Sequence, residues 1–193
     1  LKKVPNQKEL GEITGDNKEV FKIISKCVIS RLGEIEQKRE NEQSVALHDD
    51  RFPHLNIYGK IDLVEYLGDD IVRVTDFKTG SVRKKGDIEK IDEEGRMSSY
   101  LRQLAMYSYL LEQNAKSKIH VSESRLEFLE AKDPKEAFYD RVITSKEVKR
   151  LIKDIMDYDQ LVKNGEWVNR PCNYNSYGKA NECEYCKMAK IYK

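Results

Sequence analysis

The sequence predicts a mixed α/β fold in which helices flank a β-sheet. Three- and four-residue hydrophobic spacing, typical of amphipathic helices, occurs in separate segments from runs of β-branched and aromatic residues, typical of strands. The predicted order is a helix, a strand, a β-hairpin, a second helix, two further strands and a last helix. This order is that of a mixed sheet with helices packed against it.

The first predicted helix covers residues 17–39, and Asp16 or Asn17 would cap it. Its apolar stripe has helical spacing and consists of Phe21, Ile24, Val28, Leu32 and Ile35. A strand over residues 43–47 follows, and then a polar turn that leads into the hairpin.

The predicted hairpin has strands over residues 57–66 and 71–77, joined by the polar connection 67–70. Its pairing places Asp62 roughly opposite Asp76. Because side chains alternate between the faces of a strand, Asp76 and Lys78 share a face and Phe77 points the other way. Two carboxylates and a lysine in this arrangement predict a site for a divalent cation.

Residues 81–95 carry mixed charges and no periodic apolar residues, so we expect an exposed loop. The second helix is predicted from residue 98 or 99 to 114, with Gln103 and Tyr107 on one face, where they contact the same neighbour. Its buried face consists of Leu101, Leu104, Ala105, Ser108 and Leu111.

Strands over residues 119–131 and 137–143 follow, separated by a turn at 132–135. Thr144 and Glu147 form a capping box that opens the last helix, which ends near Asn164 and Gly165.

Length and composition indicate one domain over residues 1–193, with residues 166–193 as a cysteine-containing tail packed on it. No segment is apolar enough for a membrane span or a signal peptide, so we expect a cytoplasmic protein. A net charge of +1 restricts any nucleic-acid surface to a local patch. Because the chain begins at Leu1, we expect it to be cut from a longer polypeptide.

Three stretches together resemble the signature of a known family: Gly59-Lys60-Ile61-Asp62, Asp76-Phe77-Lys78-Thr79-Gly80 and Gln103-Leu104-Ala105-Met106-Tyr107. They are similar in order and spacing to the RecB-like branch of the PD-(D/E)xK nuclease superfamily, which has a restriction-endonuclease-like core. Within that branch the chain most resembles the C-terminal nuclease domain of UvrD-type and Rep-type helicases. The resemblance implies a DNA exonuclease of repair or recombination, joined to a helicase.

The resemblance also implies roles for individual residues. Asp62, Asp76 and the backbone carbonyl of Phe77 would bind Mg²⁺ or Mn²⁺, which prefer oxygen ligands. Lys78 would orient or deprotonate the attacking water and stabilise the phosphorane. Gln103 and Tyr107 would position Lys78 or the phosphate backbone.

One departure from the family pattern concerns a further metal ligand, and a second concerns the cysteines. Many relatives take a histidine from the first helix, and residues 19–39 contain none. A glutamate before the hairpin is another recurrent ligand, for which Glu42 is the first candidate and Glu36 the second.

The cysteines allow three interpretations. Relatives with an iron–sulfur cluster have a late cysteine where this chain has Tyr192, so a cluster is not favoured. Zinc binding and reduced, buried thiols remain open, the latter being the default. The candidate ligands are Cys27, Cys172, Cys183 and Cys186.

Two other functional classes remain open at this point. One is a catalytically silent nucleic-acid-binding or scaffold domain that keeps the fold without binding metal. The other is a restriction-type endonuclease, which needs a recognition element that the sequence does not reveal.

Overall fold

The computed structural model describes residues 8, 18–31, 33–114, 118–166, 175–176 and 179–180. The helices of this part are Lys18–Arg31 (α1), Lys85–Ile88 (α2), Ser99–Glu112 (α3) and Ser145–Asn164 (α4). The strands are Arg39–Leu47 (β1), Ile57–Tyr66 (β2), Ile71–Lys78 (β3), His120–Phe128 (β4), Phe138–Arg141 (β5), Asn175–Ser176 (β6) and Lys179–Ala180 (β7). A 3₁₀ turn, Pro134–Glu136, precedes β5.

Strands β1 to β5 form one sheet in chain order. Every neighbouring pair is antiparallel except β3 and β4, which are parallel. Parallel neighbours need a crossover connection, and the segment containing α3 supplies it. The mixed sheet flanked by helices confirms the predicted fold class.

The chain divides into two compact units: residues 1–47 with 57–151, and residues 48–56 with 152–193. In the second unit, the His54 amide and ring Nδ1 lie 2.8 and 2.9 Å from the buried Asp159 carboxylate. Burial acts to raise the pKa of Asp159, but these hydrogen bonds hold it below the usual value. A single domain over 1–193 stays a prediction, and most of the tail, 166–193, lies outside the described residues.

Helix α3 packs on one face of the sheet through an apolar core. Gly59 permits the closest approach, because a Cβ there would lie 2.5 Å from Cδ1 of the buried Leu110. The α3 residues predicted to be buried are all buried, and Ser98 caps the helix by accepting from the Leu101 amide at 3.1 Å. The main cluster contains Val45, Ile61, Val64, Val72, Val74, Tyr107, Leu110, Leu111 and Val121.

The other face of the sheet carries buried charges. Arg73 on β3 donates two hydrogen bonds, of 2.9 and 3.0 Å, to the Glu65 carboxylate on β2. Burial acts to raise the pKa of Glu65, but the bonds from Arg73 and from the Glu36 amide lower it overall. Arg31, at the end of α1, likewise binds Glu127 on β4 through Nε at 3.0 Å. These pairs fix the sheet and α1 to each other.

The structure corrects the predicted end of the first helix. Helix α1 stops at Arg31, not at residue 39, because the chain turns at Gly33 and the amides of Glu34 and Ile35 bond the Arg31 carbonyl. The residues after the turn form the first half of β1, which begins at Arg39 and not at residue 43. Residues 16 and 17, the expected caps, lie outside the described residues.

The predicted loop 81–95 is more ordered than expected. It contains the single-turn helix α2, whose Ile88 is fully buried, and an isolated bridge between Ile91 and Met97. Ile88 packs with Leu104, Leu126, Phe128 and Ala131. This second cluster holds the segment after β3 against α3 and β4.

The remaining predicted elements agree with the structure. The hairpin strands β2 and β3 match within one residue, and β4 and β5 fall inside the predicted ranges. The Thr144 amide donates to Glu147 at 2.7 Å, and the Glu147 amide donates to the Thr144 hydroxyl at 3.4 Å, which is the predicted capping box of α4. Among the described residues, no helix is long and apolar enough to cross a membrane.

Replacing the buried Glu65 tests the charged face. We expect Glu65→Gln to lower the free energy of unfolding by about 3 kcal/mol, because Arg73 would keep only the longer contact with Glu123, at 3.3 Å, as a charged partner. Urea unfolding at neutral pH measures the change. The exposed α4 pair Lys153–Asp157 is the control, and Asp157→Ala should change stability by less than about 0.5 kcal/mol.

The same pair has a defined pH dependence. The folded-state pKa of Glu65 lies below the ordinary value of a glutamate, so the stabilisation by this pair is present at neutral pH and is lost as the pH falls below that ordinary value. The difference in stability between the wild type and Glu65→Gln should therefore shrink on acidification. A constant difference between pH 7 and pH 4 would contradict this.

Candidate active site

Strand β2 has an irregularity at Asp62. Ile61 and Val64 both belong to the core beneath α3, although strict alternation would put residues three apart on opposite faces. The β1–β2 register runs from Asn41↔Leu63 to Gln43↔Ile61, and Glu42, between them, has a φ of 53°. This irregularity shifts the alternation of side chains where the first acidic residue of the site lies.

The Asp62 carboxylate bonds the end of β3. Its Oδ2 accepts a hydrogen bond of 2.8 Å from the Phe77 amide. This bond fastens Asp62 to the backbone next to Asp76, and the Asp62 charge contributes to raising the pKa of Asp76. Among the described residues, Oδ1 of Asp62 has no hydrogen-bond partner.

Asp76 and Lys78 extend from the same face of β3, as strand alternation requires. Asp76 is 2 % exposed, and its Oδ2 lies 2.6 Å from Nζ of Lys78. This contact has the distance of an ion pair but not the angles of a hydrogen bond, so Oδ2 accepts no hydrogen bond from the described residues. A buried carboxylate oxygen is thus matched only by an ammonium.

Helix α3 completes a closed ring of contacts with the strand. Lys78 Nζ donates to Gln103 Oε1 at 2.6 Å, and Gln103 Nε2 donates to the Tyr107 hydroxyl at 2.9 Å. The Tyr107 hydroxyl donates to Asp76 Oδ1 at 3.2 Å. Gln103 and Tyr107 therefore share a face, as predicted, but they reach different partners and each other.

The protonation of the site follows from this burial. Desolvation raises the pKa of Asp76, although the close ammonium of Lys78 and the hydrogen bond from Tyr107 oppose it. Desolvation and the Asp76 charge raise the pKa of Tyr107 to about 12, so the phenol keeps its proton at neutral pH. Tyr107 is therefore a permanent donor to Asp76.

The donor set fits a hard divalent cation. The candidate ligands are the carboxylates of Asp62 and Asp76. Among the described residues, the buried Oδ2 of Asp76 is approached only by the Lys78 ammonium. Within the described part of the chain, no three His, Cys, Asp or Glu side chains form a metal-binding group. The remaining ligands of such a cation would have to be backbone carbonyls and waters, which Mg²⁺ usually retains.

The other candidate ligands are not placed with these carboxylates. Glu42 is exposed and binds Lys60 Nζ at 2.8 Å, on the neighbouring strand. The exposed Glu36 contributes its amide to Glu65. Cys27 lies on α1 with its side chain outside the described part, and Cys172, Cys183 and Cys186 lie wholly outside it.

Tyr100 is a neighbour of the site that the sequence motifs do not reveal. Its ring centroid lies 5.8 Å from Nζ of Lys78. Tyr100 precedes Gln103 by three residues on the predicted helix. This i,i+3 spacing is the sequence signal that could have placed Tyr100 on the same face as Gln103.

One family model matches nearly the whole chain. The model of the PD-(D/E)XK nuclease superfamily matches residues 2–191. This chain therefore belongs to the PD-(D/E)XK nuclease superfamily. No curated protein matches it.

Two solved structures are similar to the chain. A protein from Eubacterium rectale, described as a candidate exonuclease, aligns with 17 % identity and a TM-score of 0.50 over 96 % of this chain. The chain spans only 64 % of that protein's length, and the likeness shows a shared fold. The structure of SSO0001 aligns with 16 % identity and a TM-score of 0.45, covering 95 % of this chain and 75 % of that one.

Removing the Tyr107 hydroxyl should disturb Asp76 in a measurable way. In Tyr107→Phe the carboxylate loses a donor that lowers its pKa, so the pKa of Asp76 should rise above that of the wild type. A titration of the ¹³Cγ resonance of Asp76 measures it. Tyr66→Phe removes a hydroxyl that bonds Glu40 and should leave the Asp76 titration unchanged.

Proposed function

We propose that this chain is a divalent-metal-dependent deoxyribonuclease that hydrolyses phosphodiester bonds. The observation that carries the proposal is the closed ring of contacts through Asp76, Lys78, Gln103 and Tyr107, with Asp62 fastened beside it. Mg²⁺ and Mn²⁺ are the cations that such oxygen donors favour. The superfamily match supports hydrolysis of a nucleic acid.

Each residue has a part that its contacts support. Asp62 and Asp76, with the Phe77 carbonyl, would hold the cation. When bound, the cation supplies a Lewis acid that acidifies water and neutralises charge on the scissile phosphate. Lys78 has three N–H bonds. One donates to Gln103, and the ammonium also forms an ion pair with Asp76, so at least one N–H remains for a water or a phosphate oxygen.

Tyr107 and Gln103 fix the direction of these groups. The phenol holds one oxygen of Asp76, and the amide fixes Lys78 through its oxygen while binding the phenol through its nitrogen. Because both come from one helix, the lysine and the carboxylate keep a constant relation while the substrate binds. As an ammonium with an N–H to spare, Lys78 would thereby orient the attacking water.

A more specific proposal concerns the mode of DNA digestion and the protein partner. We propose exonuclease action in DNA repair or recombination, as part of or beside a UvrD-type or Rep-type helicase, within the RecB-like branch and in the cytoplasm. The three motifs on β2, β3 and α3 support the branch. The description of the Eubacterium rectale protein as a candidate exonuclease favours digestion from an end.

Cleavage and metal binding should respond differently to three variants. We expect Asp62→Asn and Asp76→Asn to lose both Mn²⁺ binding and DNA cleavage, because they remove the anionic ligands. Lys78→Ala should lose at least about 10²-fold in cleavage rate while still binding Mn²⁺, since the ammonium is not a ligand. Calorimetry with Mn²⁺ and a labelled-DNA cleavage assay measure the two properties.

The exposed Lys153 provides the control for loss of a lysine. Lys153→Ala should cleave like the wild type. Salt-dependent DNA binding by a wild-type protein that neither binds Mn²⁺ nor cleaves DNA would refute the nuclease and support a silent binding domain.

The raised pKa of Asp76 gives metal binding a pH dependence. The cation competes with the proton on this carboxyl, so affinity should fall on acidification, and at a higher pH than for an ordinary aspartate. Calorimetry with Mn²⁺ across mildly acidic pH, in buffers of different ionisation enthalpy, should detect proton release on binding. Affinity independent of pH across this range would contradict the assignment of Asp76 as a ligand.

A further inference from the structure

We infer that Tyr100 is a positioning residue, whose aromatic face holds the Lys78 ammonium so that one N–H stays directed at the substrate. The catalytic meaning of this inference rests on the proposed nuclease function. The structural part, a ring that confines the ammonium, stands on the contact itself, with Nζ 5.8 Å from the ring centroid.

Three groups surround the ammonium. Asp76 Oδ2 and Gln103 Oε1 each lie 2.6 Å from Nζ, and Nζ lies over the Tyr100 ring, 5.8 Å from its centroid. The negative face of an aromatic ring attracts a cation but does not need one of its N–H bonds as a carboxylate does. The ring can therefore hold the charge in place and still leave an N–H for water or phosphate.

The ring is itself held by the core. Tyr100 lies in the first turn of α3, and its ring packs against Phe128 of β4 with a centroid separation of 6.4 Å and an interplanar angle of 58°. It adjoins the buried cluster that contains Ile88 and Leu104. Because packed aromatic rings lose little freedom, Tyr100 gives Lys78 a fixed surface instead of a mobile partner.

The position calls for an aromatic ring rather than for a hydroxyl. A polar chain in its place could take the third N–H of Lys78, and an aliphatic chain would fill the space without attracting the charge. Tyr100→Phe keeps the ring, whereas Tyr100→Leu keeps an apolar group and removes the aromatic face. Comparing these two variants separates the cation–π contact from simple packing.

The kinetic experiment uses Mn²⁺ and a labelled DNA oligonucleotide with the whole chain. We expect Tyr100→Leu to lower kcat about fivefold with little change in KM, and Tyr100→Phe to retain the wild-type kcat. In a Lys78→Met background, which measures residual activity, Tyr100→Leu should have no further effect. Equal losses in the Phe and Leu variants, or additive losses with Lys78→Met, would overturn the inference.

Phe128→Leu is the matched control for packing. It loosens the same aromatic pair. Phe128 lies opposite Lys78 in the β3–β4 register, but among the described residues its ring makes no cation–π contact with the ammonium, so the variant should lower thermal stability without the loss of kcat seen in Tyr100→Leu. If Phe128→Leu lowers kcat as much as Tyr100→Leu does, Tyr100 acts through packing alone and the inference fails.

A readout on the protein itself separates this inference from the proposed function. The ε-methylene proton resonances of Lys78, assigned by their absence in Lys78→Met, should show an upfield ring-current shift in the wild type and Tyr100→Phe. The shift should disappear in Tyr100→Leu. Its absence from the wild type overturns the positioning role even if DNA is cleaved, whereas its presence in a protein that cleaves no DNA refutes only the nuclease proposal.

Discussion

The rest of the candidate site depends on the contact between the buried Asp76 carboxylate and the Lys78 ammonium. Burial makes an isolated carboxylate costly, and the positive charge 2.6 Å away compensates for part of that cost. The compensation is incomplete, because the pKa of Asp76 remains raised and Oδ2 accepts no hydrogen bond from the described residues. A buried anionic oxygen without a hydrogen bond favours the binding of a divalent cation, which carries more charge than the ammonium.

One face of the sheet carries the candidate site, and the other carries ion pairs that hold the structure together. On the α3 face, apolar packing surrounds the polar ring and fixes the helix that supplies Gln103 and Tyr107. On the opposite face, Arg73 is paired with Glu65 through two separate N–H donors, and the single Nε–H of Arg31 is shared between both carboxylate oxygens of Glu127. On this second face each of the two carboxylates accepts hydrogen bonds from an arginine, although Nη2 of Arg31 has no hydrogen-bond partner among the described residues. On the first face, one oxygen of the Asp76 carboxylate accepts no hydrogen bond from that part of the chain. This contrast distinguishes structural ion pairs from candidate functional ones.

The sequence predicted those features that local pattern determines. Strand alternation placed Asp76 beside Lys78, and helical spacing placed Gln103 near Tyr107. The sequence-based prediction missed two elements that depend on tertiary contacts. The first half of β1 was missed because it consists of exposed polar residues at the edge of the sheet. The single helical turn that contains Ile88 was missed because it is too short to show a hydrophobic period. The irregularity at Asp62 and the approach of Tyr100 to Lys78 arise from packing between elements, which no local window contains. Whether these residues perform the roles implied by the family stays a prediction.

The irregular pairing between β1 and β2 has a consequence for how such chains can change over time. Two features fix the position of Asp62. Gly59, three residues earlier on β2, is held against Leu110, and the β1–β2 register is set on both sides of Glu42. One inserted or deleted residue there would rotate the carboxylate to the opposite side, whatever its identity. Point changes on the exposed strand surface are tolerable, but changes of length are not. We expect insertions and deletions to be tolerated instead in connections such as the one between Leu67 and Asp70, where neither face of the sheet is affected.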